Sequence, residues 1–464
     1  AAAYPGWHEP QALALYRARP GSLIAGSMRS GRNVRDARRT IDLMSGSVPP
    51  ASRPTAVRAA RARCAGWALK NASMLLERQD LRGVLAQGRE ALASDPREVA
   101  RSLAVGGVRR LSNVTVEPLE LGPALDPAPR PSSNRRPIAR YVGSEPRPLW
   151  SVMIPAYECA DYLRQTLASV LAQDPGPELM QIEVVDDASS DEPEKVVEEL
   201  GAGRVSFHRQ PRNVGHIANF NTCLERSRGA LVHLLHGDDC VRNGFYQTMQ
   251  QPFTQHEEIG AAFCRYIAMD EQGHWTNLAP LELRSAGVLP GWLGRIAVGQ
   301  RLQTPSMVVR REVYEQLGGF DSRVGFAEDW AMWVKVAAHY PVAYEPEPLA
   351  LYRVHTSSMT GRYLRDGENV RDLRRVIETN REQLPPELAD EITRMALRET
   401  ATTCLRRAQR MLGAGDAEAM WAQVREAIRS DHSPRIVASA GVVVAARAAL
   451  GAVGAVRAGH ARLV

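Results

Sequence analysis

The 464-residue chain lacks the features that mark several large protein classes. Its six cysteines are scattered, without a CxxC pair or a close Cys/His spacing, which argues against a disulfide framework or structural zinc and favours a reducing compartment. It contains neither a GxxxxGK[ST] phosphate loop nor a GxGxxG dinucleotide fingerprint. The N-terminus has no signal-peptide pattern and no initiator methionine, as expected for a fragment of a cytoplasmic protein.

Long apolar runs are also scarce. The most apolar stretch, Ile436 to Val456, is interrupted by Arg447, whereas a membrane-spanning helix needs about 20 consecutive apolar residues. We therefore predict a packed or surface-lying helix here. The neighbouring arginines would allow peripheral association with the inner face of a membrane.

Positive charge is concentrated in the first third of the chain. Up to Arg147 there are 24 basic and 12 acidic residues, and the remainder has 34 and 40. A basic surface attracts anionic lipid or nucleic acid. No RNA- or DNA-binding module accompanies the charge, and arginines on solvated helix faces account for it equally well, so we predict no nucleic-acid partner.

An internal repeat with a constant offset of 336 positions frames the chain. The matching segments are HEPQALALYR (8–17) with YEPEPLALYR (344–353), GRNVRDARRTI (31–41) with GENVRDLRRVI (367–377), and REALASD (89–95) with REAIRSD (425–431). The repeat predicts that residues 1–115 are the helical tail of a preceding, truncated module and correspond to residues 344–435. We therefore expect the intact protein to carry an upstream module. An intact protein without such a module before the tail would contradict this expectation.

Composition predicts three further regions. Residues 116–147 are rich in proline, whose fixed φ and missing donor suit an extended linker. Residues 148–360 form the α/β domain, and residues 361–464 form a helical C-terminal tail that includes a hairpin turning at Gly415. Such tail helices pad the larger domain or, alternatively, bind another protein.

Alternating strands and helices follow the linker. LWSVMIPAY (149–157) predicts a buried parallel strand stopped by Pro155, and a helix with one apolar face follows over residues 160–173. MQIEVVDDASSD (180–191) and ALVHLLHGDDC (230–240) predict two more strands that end in carboxylates. This alternation favours a doubly wound α/β sheet, whose ligands bind at the carboxyl ends of strands.

The acid pair Asp238 and Asp239 is a candidate metal site. Hard oxygen ligands suit Mg²⁺ or Mn²⁺, which neutralises a diphosphate. Neighbouring exposed acids also commonly cap helices or face solvent, so the pair by itself leaves both interpretations open.

Together these segments resemble glycosyltransferase family 2, the inverting enzymes with the GT-A fold. The resemblance covers about Leu149 to Thr360 and depends on the order of its parts, which are SVMIPAYECADYLRQTLASVLAQ, VVDDASSD, RNVGHIANFNTCLERSRG, LLHGDD, TPSMVVRREVYEQLGGFD and GFAEDWAMWVKV. It implies an α/β, Rossmann-like fold with a mixed, mostly parallel sheet and flanking helices. It also implies transfer of a sugar from a nucleotide-sugar donor, with a UDP-sugar favoured, to a hydroxyl of a glycan or lipid-linked acceptor in surface polysaccharide or glycoconjugate synthesis.

The resemblance also assigns the donor site. Asp187, at the end of the second strand, would bind the base or ribose, and Tyr157, after Pro155 of the first strand, would lie against the base ring. Asn213 belongs to a segment that approaches the nucleotide, although a loop turn explains it equally well. Glu158 stands where the family usually has Asn, which puts the nearby base contact in doubt.

Metal and base roles follow in the same way. Because neighbouring residues of an extended strand point to opposite faces, Asp239 is the predicted metal ligand and Asp238 the ribose contact. His355 matches a family histidine near the diphosphate or metal, although a lone histidine after a strand is more often a hydrogen-bonded surface residue. Asp329 matches the general base, which Glu328 would assist; by itself, an acid in a first helical turn is explained by the helix dipole.

Two other functions compete with this interpretation. A nucleotidyltransferase shares a related sheet and metal acids, but it needs a Gly-rich, basic phosphate loop after the first strand, and YECADYL has none. A non-catalytic helical scaffold with a decayed transferase domain should have lost its acids, yet Asp187, Asp239 and Asp329 are all present. Donor and acceptor specificity would depend on side chains between Phe263 and Ser306, which the pattern does not resolve.

Overall fold

The computed structural model describes residues 30–77, 80–95, 137–143, 147–355, 368–441, 443–444 and 447. The described residues fall into two compact units. One is drawn from 1–114, 405–420 and 433–464, and the other from 115–404 and 421–432.

The regular elements of the described residues alternate along the chain as the sequence predicts. The strands are β1 (Trp150–Ala156), β2 (Met180–Asp186), β3 (Ser206–Arg209), β4 (Leu231–Leu234), β5 (Cys240–Val241), β6 (Ala261–Met269), β7 (Trp275–Leu278), β8 (Gly287–Val288), β9 (Met307–Arg310) and β10 (Val342–Arg353). The helices are α1 (Arg32–Met44), α2 (Arg53–Glu77), α3 (Leu81–Ser94), α4 (Ala160–Leu171), α5 (Pro193–Gly201), α6 (His216–Arg226), α7 (Phe245–Gln255), α8 (Trp292–Val298), α9 (Arg311–Leu317), α10 (Glu328–His339), α11 (Glu368–Arg381), α12 (Pro386–Ala414) and α13 (Ala417–Ser430).

The strands form a single mixed sheet in the order β3-β2-β1-β4-β9-β6-β10-β5, with β7 on β6 and β8 on β10. The first four strands of this order are parallel, β9 is antiparallel to both of its neighbours, and β6 and β10 are parallel. Helices cover both faces, and the predicted fold class of a mixed, mostly parallel sheet with flanking helices is confirmed. The carboxyl ends of β1, β2 and β4 therefore meet at one edge, where ligands of such sheets bind.

Burial explains why these segments form strands and helices. Every residue of β1 and β2 is buried, as expected for central strands that are covered on both faces. On α4, Leu163, Leu167 and Val170 recur at helical spacing and are completely buried against the sheet.

Pro155 does not end the first strand, in contrast to the prediction. β1 continues to Ala156 because β2 pairs with it over its full length, whereas its pairing with β4 ends at Met153. The missing N–H of Pro155 therefore costs the sheet no hydrogen bond on the β4 side, and its carbonyl accepts one from Gly237 at 3.0 Å.

The end of the predicted linker packs against the sheet. Ile138 is buried in the core that contains β4 and β9, and the carbonyl of Ala139 accepts hydrogen bonds from the Arg311 guanidinium. An apolar anchor between prolines is hard to distinguish from linker sequence, and the boundary expected near Arg147 stays a prediction. Residues 116–136 are outside the described residues.

The helices α11 to α13 follow the same order as α1 to α3, and two of the three helix starts keep the offset of the repeat. The first and third helices of each triad start 336 positions apart, and Gly415, with φ 83°, forms the predicted turn before α13. Each third helix carries one buried glutamate that pairs with two arginines of the first helix. The pairs are Arg35–Glu90 (2.7 Å), Arg38–Glu90 (3.4 Å), Arg371–Glu426 (3.9 Å) and Arg374–Glu426 (2.6 Å).

Two sequence predictions concern regions with few described residues. Of the apolar stretch 436–456, Ile436, Ala440 and Val443 are buried, as predicted for a packed helix, and residues 448–456 lie outside the described residues. Within the described part of the chain, no helix combines the length and hydropathy needed to cross a membrane.

Candidate active site

A tight turn after β4 presents the HGDD segment at the carboxyl edge of the sheet. Gly237 lies so close to β1 that a Cβ there would be 2.7 Å from the sulfur of Cys159, so only glycine fits without a shift. The Thr166 hydroxyl of α4 lies 3.0 Å from the carbonyl of Gly237 and 2.7 Å from that of Asp239. Neighbouring elements thus fix the backbone of the acidic turn, which we define as residues 236–239.

The two aspartates of the acidic turn do not point to opposite faces. His236, Asp238 and Asp239 each offer a ligand atom, and these atoms lie within 4.8 Å of one another. The prediction assumed an extended strand, but β4 ends at Leu234 and the chain turns at residues 237 and 238. Both carboxylates therefore face one place, and together with His236 they form a set that suits a divalent cation.

Arg353, the last residue of β10, holds the acidic turn from the other side. Its backbone N–H donates to Asp239 Oδ1 at 2.8 Å, and its Nε donates to the Asp238 carbonyl at 2.8 Å. Its guanidinium lies 4.6 Å from the ring centre of Tyr162 and donates to Gln165 at 2.8 Å. This role of Arg353 could not be read from local sequence, because its partners lie 114 or more positions away along the chain.

Burial and neighbouring charges change the pKa values of both aspartates in the acidic turn. Burial and the neighbouring Asp238 charge hold the pKa of Asp239 well above its usual range. Burial also opposes ionisation of Asp238, but the hydrogen bond from His355 and the nearby imidazoles outweigh it and lower its pKa. Among the described residues, Asp239 Oδ2 is buried and has no hydrogen-bond partner, which is costly for a carboxylate unless a cation binds there.

His355 lies beside the acidic turn. Its Nε2 is 2.9 Å from Asp238 Oδ2, and its ring packs at 5.2 Å from that of Tyr162. The side chain is only 9% exposed. The structure thus brings His355 to the carboxylate of Asp238 rather than to that of Asp239.

The predicted donor residues surround the ends of β1 and β2. Tyr157 follows β1 with 54% of its surface exposed, which leaves a ring face open. Asp187 accepts hydrogen bonds from the backbone N–H groups of Val214 at 2.7 Å and Gly215 at 3.0 Å. Asp187 and the loop that contains Asn213 therefore form one wall beside Tyr157, and burial raises the pKa of Asp187.

Glu158 has a local structural partner that Asn would not match. It adopts a positive φ of 49°, and its carboxylate accepts a hydrogen bond from the backbone N–H of Ser190 at 2.8 Å. The residue that departs from the family pattern thus ties the end of β1 to the loop after β2.

Asp329 lies in the first turn of α10 among uncharged donors. Its Oδ2 accepts hydrogen bonds from Gln300 at 2.8 Å and Thr304 at 3.2 Å, and its Oδ1 accepts one from the N–H of Trp330 at 2.7 Å. Burial, followed by the charge of Glu328, raises the pKa of Asp329 to about 7. Such a carboxyl exchanges a proton near neutral pH, as a general base must.

A row of rings connects the carboxylate of Glu328, the neighbour of Asp329, to the acidic turn. His216, the first residue of α6, lies 3.4 Å from the Glu328 carboxylate. Phe220 packs edge-on against His216 at 5.7 Å and stacks on His236 at 4.9 Å. Neither histidine is among the predicted site residues, although both lie in motif segments, RNVGH and LLHGDD.

The comparisons with known proteins agree with the sequence pattern. The family model described as glycosyl transferase family 2 matches residues 151–315. An uncharacterized protein of Mycobacterium tuberculosis is 27% identical over 252 residues, which cover 50% of this chain and 75% of that protein. An uncharacterized glycosyltransferase of Rickettsia prowazekii is 24% identical over 233 residues, covering 49% and 70%.

Among solved structures, the chain is similar to S. aureus TarS 1–349 in complex with UDP-GlcNAc, with 14% sequence identity and a TM-score of 0.46 over 60% of this chain and 91% of that one. Over the residues that they match, the family model and the relatives show a likeness to glycosyltransferases of family 2. The substrate has to be argued from the site itself.

Proposed function

We propose that the chain is an inverting, metal-dependent glycosyltransferase that moves a sugar from a nucleotide-sugar donor to an acceptor hydroxyl. One observation carries the proposal. The acidic turn, in which Asp239 Oδ2 has no partner among the described residues, is joined by the row of rings to the start of α10. There burial and the charge of Glu328 raise the pKa of Asp329 to about 7. The first group suits a cation that neutralises a leaving diphosphate, and the second suits a base that activates a hydroxyl.

The donor nucleotide would lie against the ends of β1 and β2. Tyr157, which follows Pro155, offers an open ring face to the base, and Asp187 with the Asn213 loop lines the opposite wall. A carboxylate already bonded to two backbone N–H groups keeps its orientation when a ribose or base donates to it. We favour a UDP-sugar, with Asp238 as a further ribose contact.

Asp239 would bind Mg²⁺ or Mn²⁺ together with His355 and the neighbouring Asp238. A bound cation would stabilise negative charge on the leaving nucleoside diphosphate. The residues present fit such an ion, because Asp239 Oδ2 is buried without a partner in the part of the chain that the structure describes, and Arg353 donates to Oδ1. The buried hydrogen bonds that Thr166 and Arg353 donate to Asp239 hold the acidic turn in place, so the turn does not rearrange before a cation binds.

Asp329 would take the proton from the acceptor hydroxyl as its oxygen attacks the anomeric carbon. Attack from the side opposite the diphosphate is a single displacement and inverts the anomeric configuration. Gln300 and Thr304 hold the base through Oδ2, while Glu328, paired with His216, keeps a second negative charge nearby that favours proton uptake. No covalent sugar intermediate is required.

The N-terminal helices would be the tail of a preceding transferase module. The buried Glu90 with its two arginines recurs as Glu426 with its own two, and the helix starts share the offset of the sequence repeat. This supports an intact protein with two modules that add sugars in turn to a glycan or lipid-linked acceptor. The work would take place in the cytoplasm or at the inner membrane face, in polysaccharide or glycoconjugate synthesis.

The test is nucleoside diphosphate release by the purified chain from a panel of nucleotide sugars, with Mn²⁺ or with EDTA. We expect release from one donor class with Mn²⁺ and none with EDTA. Asp390→Asn, on the exposed face of α12, serves as the matched control for Asp239→Asn. Donor binding without any turnover would leave a binding-only domain, and no donor binding would favour the scaffold.

A further inference from the structure

We propose that His236 is itself a ligand of the divalent cation, so that the site prefers Mn²⁺ to Mg²⁺. This inference rests on the proposed function for the location of the ion. It goes beyond the sequence prediction, which named Asp239 and His355 as ligands and did not distinguish between Mg²⁺ and Mn²⁺ as the bound ion.

The distance between His236 and Asp239 fits a shared ion better than a direct bond. His236 Nδ1 lies 3.9 Å from Asp239 Oδ2, beyond the usual hydrogen-bond range of about 3.2 Å. Two atoms that each lie about 2.1 Å from one ion are separated by at most about 4.2 Å, so the observed gap is one that a cation can bridge.

One of the two side chains carries a buried polar atom without a partner at the place where an ion would lie. Asp239 Oδ2, the atom 3.9 Å from His236 Nδ1, is buried and makes no hydrogen bond within the described residues. Buried polar atoms nearly always have a partner, so an orphaned carboxylate oxygen in a cluster of possible ligands points to a missing cation. Asp239 is completely buried, so water cannot freely replace that partner.

The ring of His236 is held in place by Phe220. The two rings stack at 4.9 Å with an angle of 21° between their planes. A stacked ring loses little freedom when it binds an ion, which favours a preformed ligand. His355, by contrast, already uses its Nε2 on Asp238 Oδ2 at 2.9 Å, an arrangement that orients a carboxylate.

A nitrogen ligand changes which ion the site selects. Mg²⁺ prefers oxygen ligands only, whereas imidazole binds transition metals well. A site built from two carboxylates and an imidazole should therefore bind Mn²⁺ more tightly than Mg²⁺. Replacing the imidazole by a carboxylate, in His236→Asp, should reduce that preference.

The experiment is pulsed EPR of Mn²⁺ added to the full chain, which detects nitrogen bound directly to the ion. We expect a nitrogen signal in the wild type that persists in His355→Asn, because His236 remains. Removing both histidines should abolish the signal. His236→Asn alone should weaken Mn²⁺ binding about 10-fold or more, while His274→Asn, an exposed control, should not.

Loss of all nitrogen signal in His355→Asn would overturn the proposal, as would unchanged Mn²⁺ affinity in His236→Asn. The result in His355→Asn does not depend on whether the His236 variants fold. Turnover of the donor in EDTA would contradict the metal dependence of the proposed function. Mn²⁺-dependent turnover without any nitrogen signal would contradict only the assignment of His236 as a ligand.

Discussion

Two pairs of neighbouring acids meet at the edge of the sheet, and their surroundings differ. Asp238 and Asp239 lie in a turn among Arg353, His355 and His236, and one carboxylate oxygen has no hydrogen-bond partner among the residues that the structure describes. Glu328 and Asp329 open a helix, and Asp329 is bonded to uncharged amide and hydroxyl donors. The first environment suits a cation and the second suits a proton, although the two dipeptides are chemically similar.

The largest effect should come from removing the cation ligand. Asp239→Asn keeps the size of the side chain but removes the charge, and metal stabilisation of a leaving group is worth several kcal/mol. We therefore expect about a 1,000-fold loss of nucleoside diphosphate release, measured with saturating Mn²⁺. The Asp390→Asn chain should match the wild type, and a loss of less than tenfold in Asp239→Asn would contradict the metal role.

Removing the base should cost less and leave binding intact. Asp329→Asn should lower kcat about 100-fold or more, because general base catalysis contributes a factor of that size. Mn²⁺ and donor affinity, measured by calorimetry, should stay within about twofold of the wild type, since a group that acts on the acceptor adds little to donor binding. If Asp329→Asn also lost Mn²⁺ binding, the two acid pairs would act as one site, which would contradict their separate roles.

Crowding the acidic turn should affect only the metal side. In Gly237→Ala the new Cβ meets the sulfur of Cys159, and the shift should weaken Mn²⁺ binding by about tenfold, a typical cost of overpacking. Removing the sulfur in the same chain with Cys159→Ala should restore most of the affinity. Gly88→Ala, whose Cβ would meet nothing within 4 Å, is the matched control.

The smallest effect should be seen with pH. Asp329 must be ionised to accept a proton, and its pKa is raised to about 7, so kcat/KM should rise with pH and reach half of its plateau near pH 7. Folding stability should change in the opposite sense. Because the folded state holds this proton more tightly, stability falls as pH rises towards 7, and Asp329→Asn should remove that part of the decline in thermal melts.

Much of the fold could be predicted from the sequence, because local pattern determines it. Buried apolar runs set β1, β2 and β4, and apolar residues at helical spacing set α4. The exact boundaries could not be predicted so well. Ile138 is anchored by a core that forms only when distant strands meet, and Pro155 is tolerated only because β4 ends early.

The site was predictable in its acids but not in its contacts. Asp239 and Asp329 follow recognisable segments, whereas Arg353, Gln300 and Thr304 reach them across the fold. The carboxylates of Asp238 and Asp239 lie together because the chain turns there. The alternation of side chains between the two faces of a strand does not apply to such a turn.

The most direct test of the account is the anomeric configuration of the sugar first released from the accepted nucleotide sugar. The wild-type chain with Mn²⁺, given water as acceptor, would be followed by proton NMR before the sugar equilibrates. A metal-dependent single displacement gives a released sugar with the configuration opposite to that of the donor, and no release in EDTA. Retention of configuration, or equal release in EDTA, would contradict a metal-dependent single displacement.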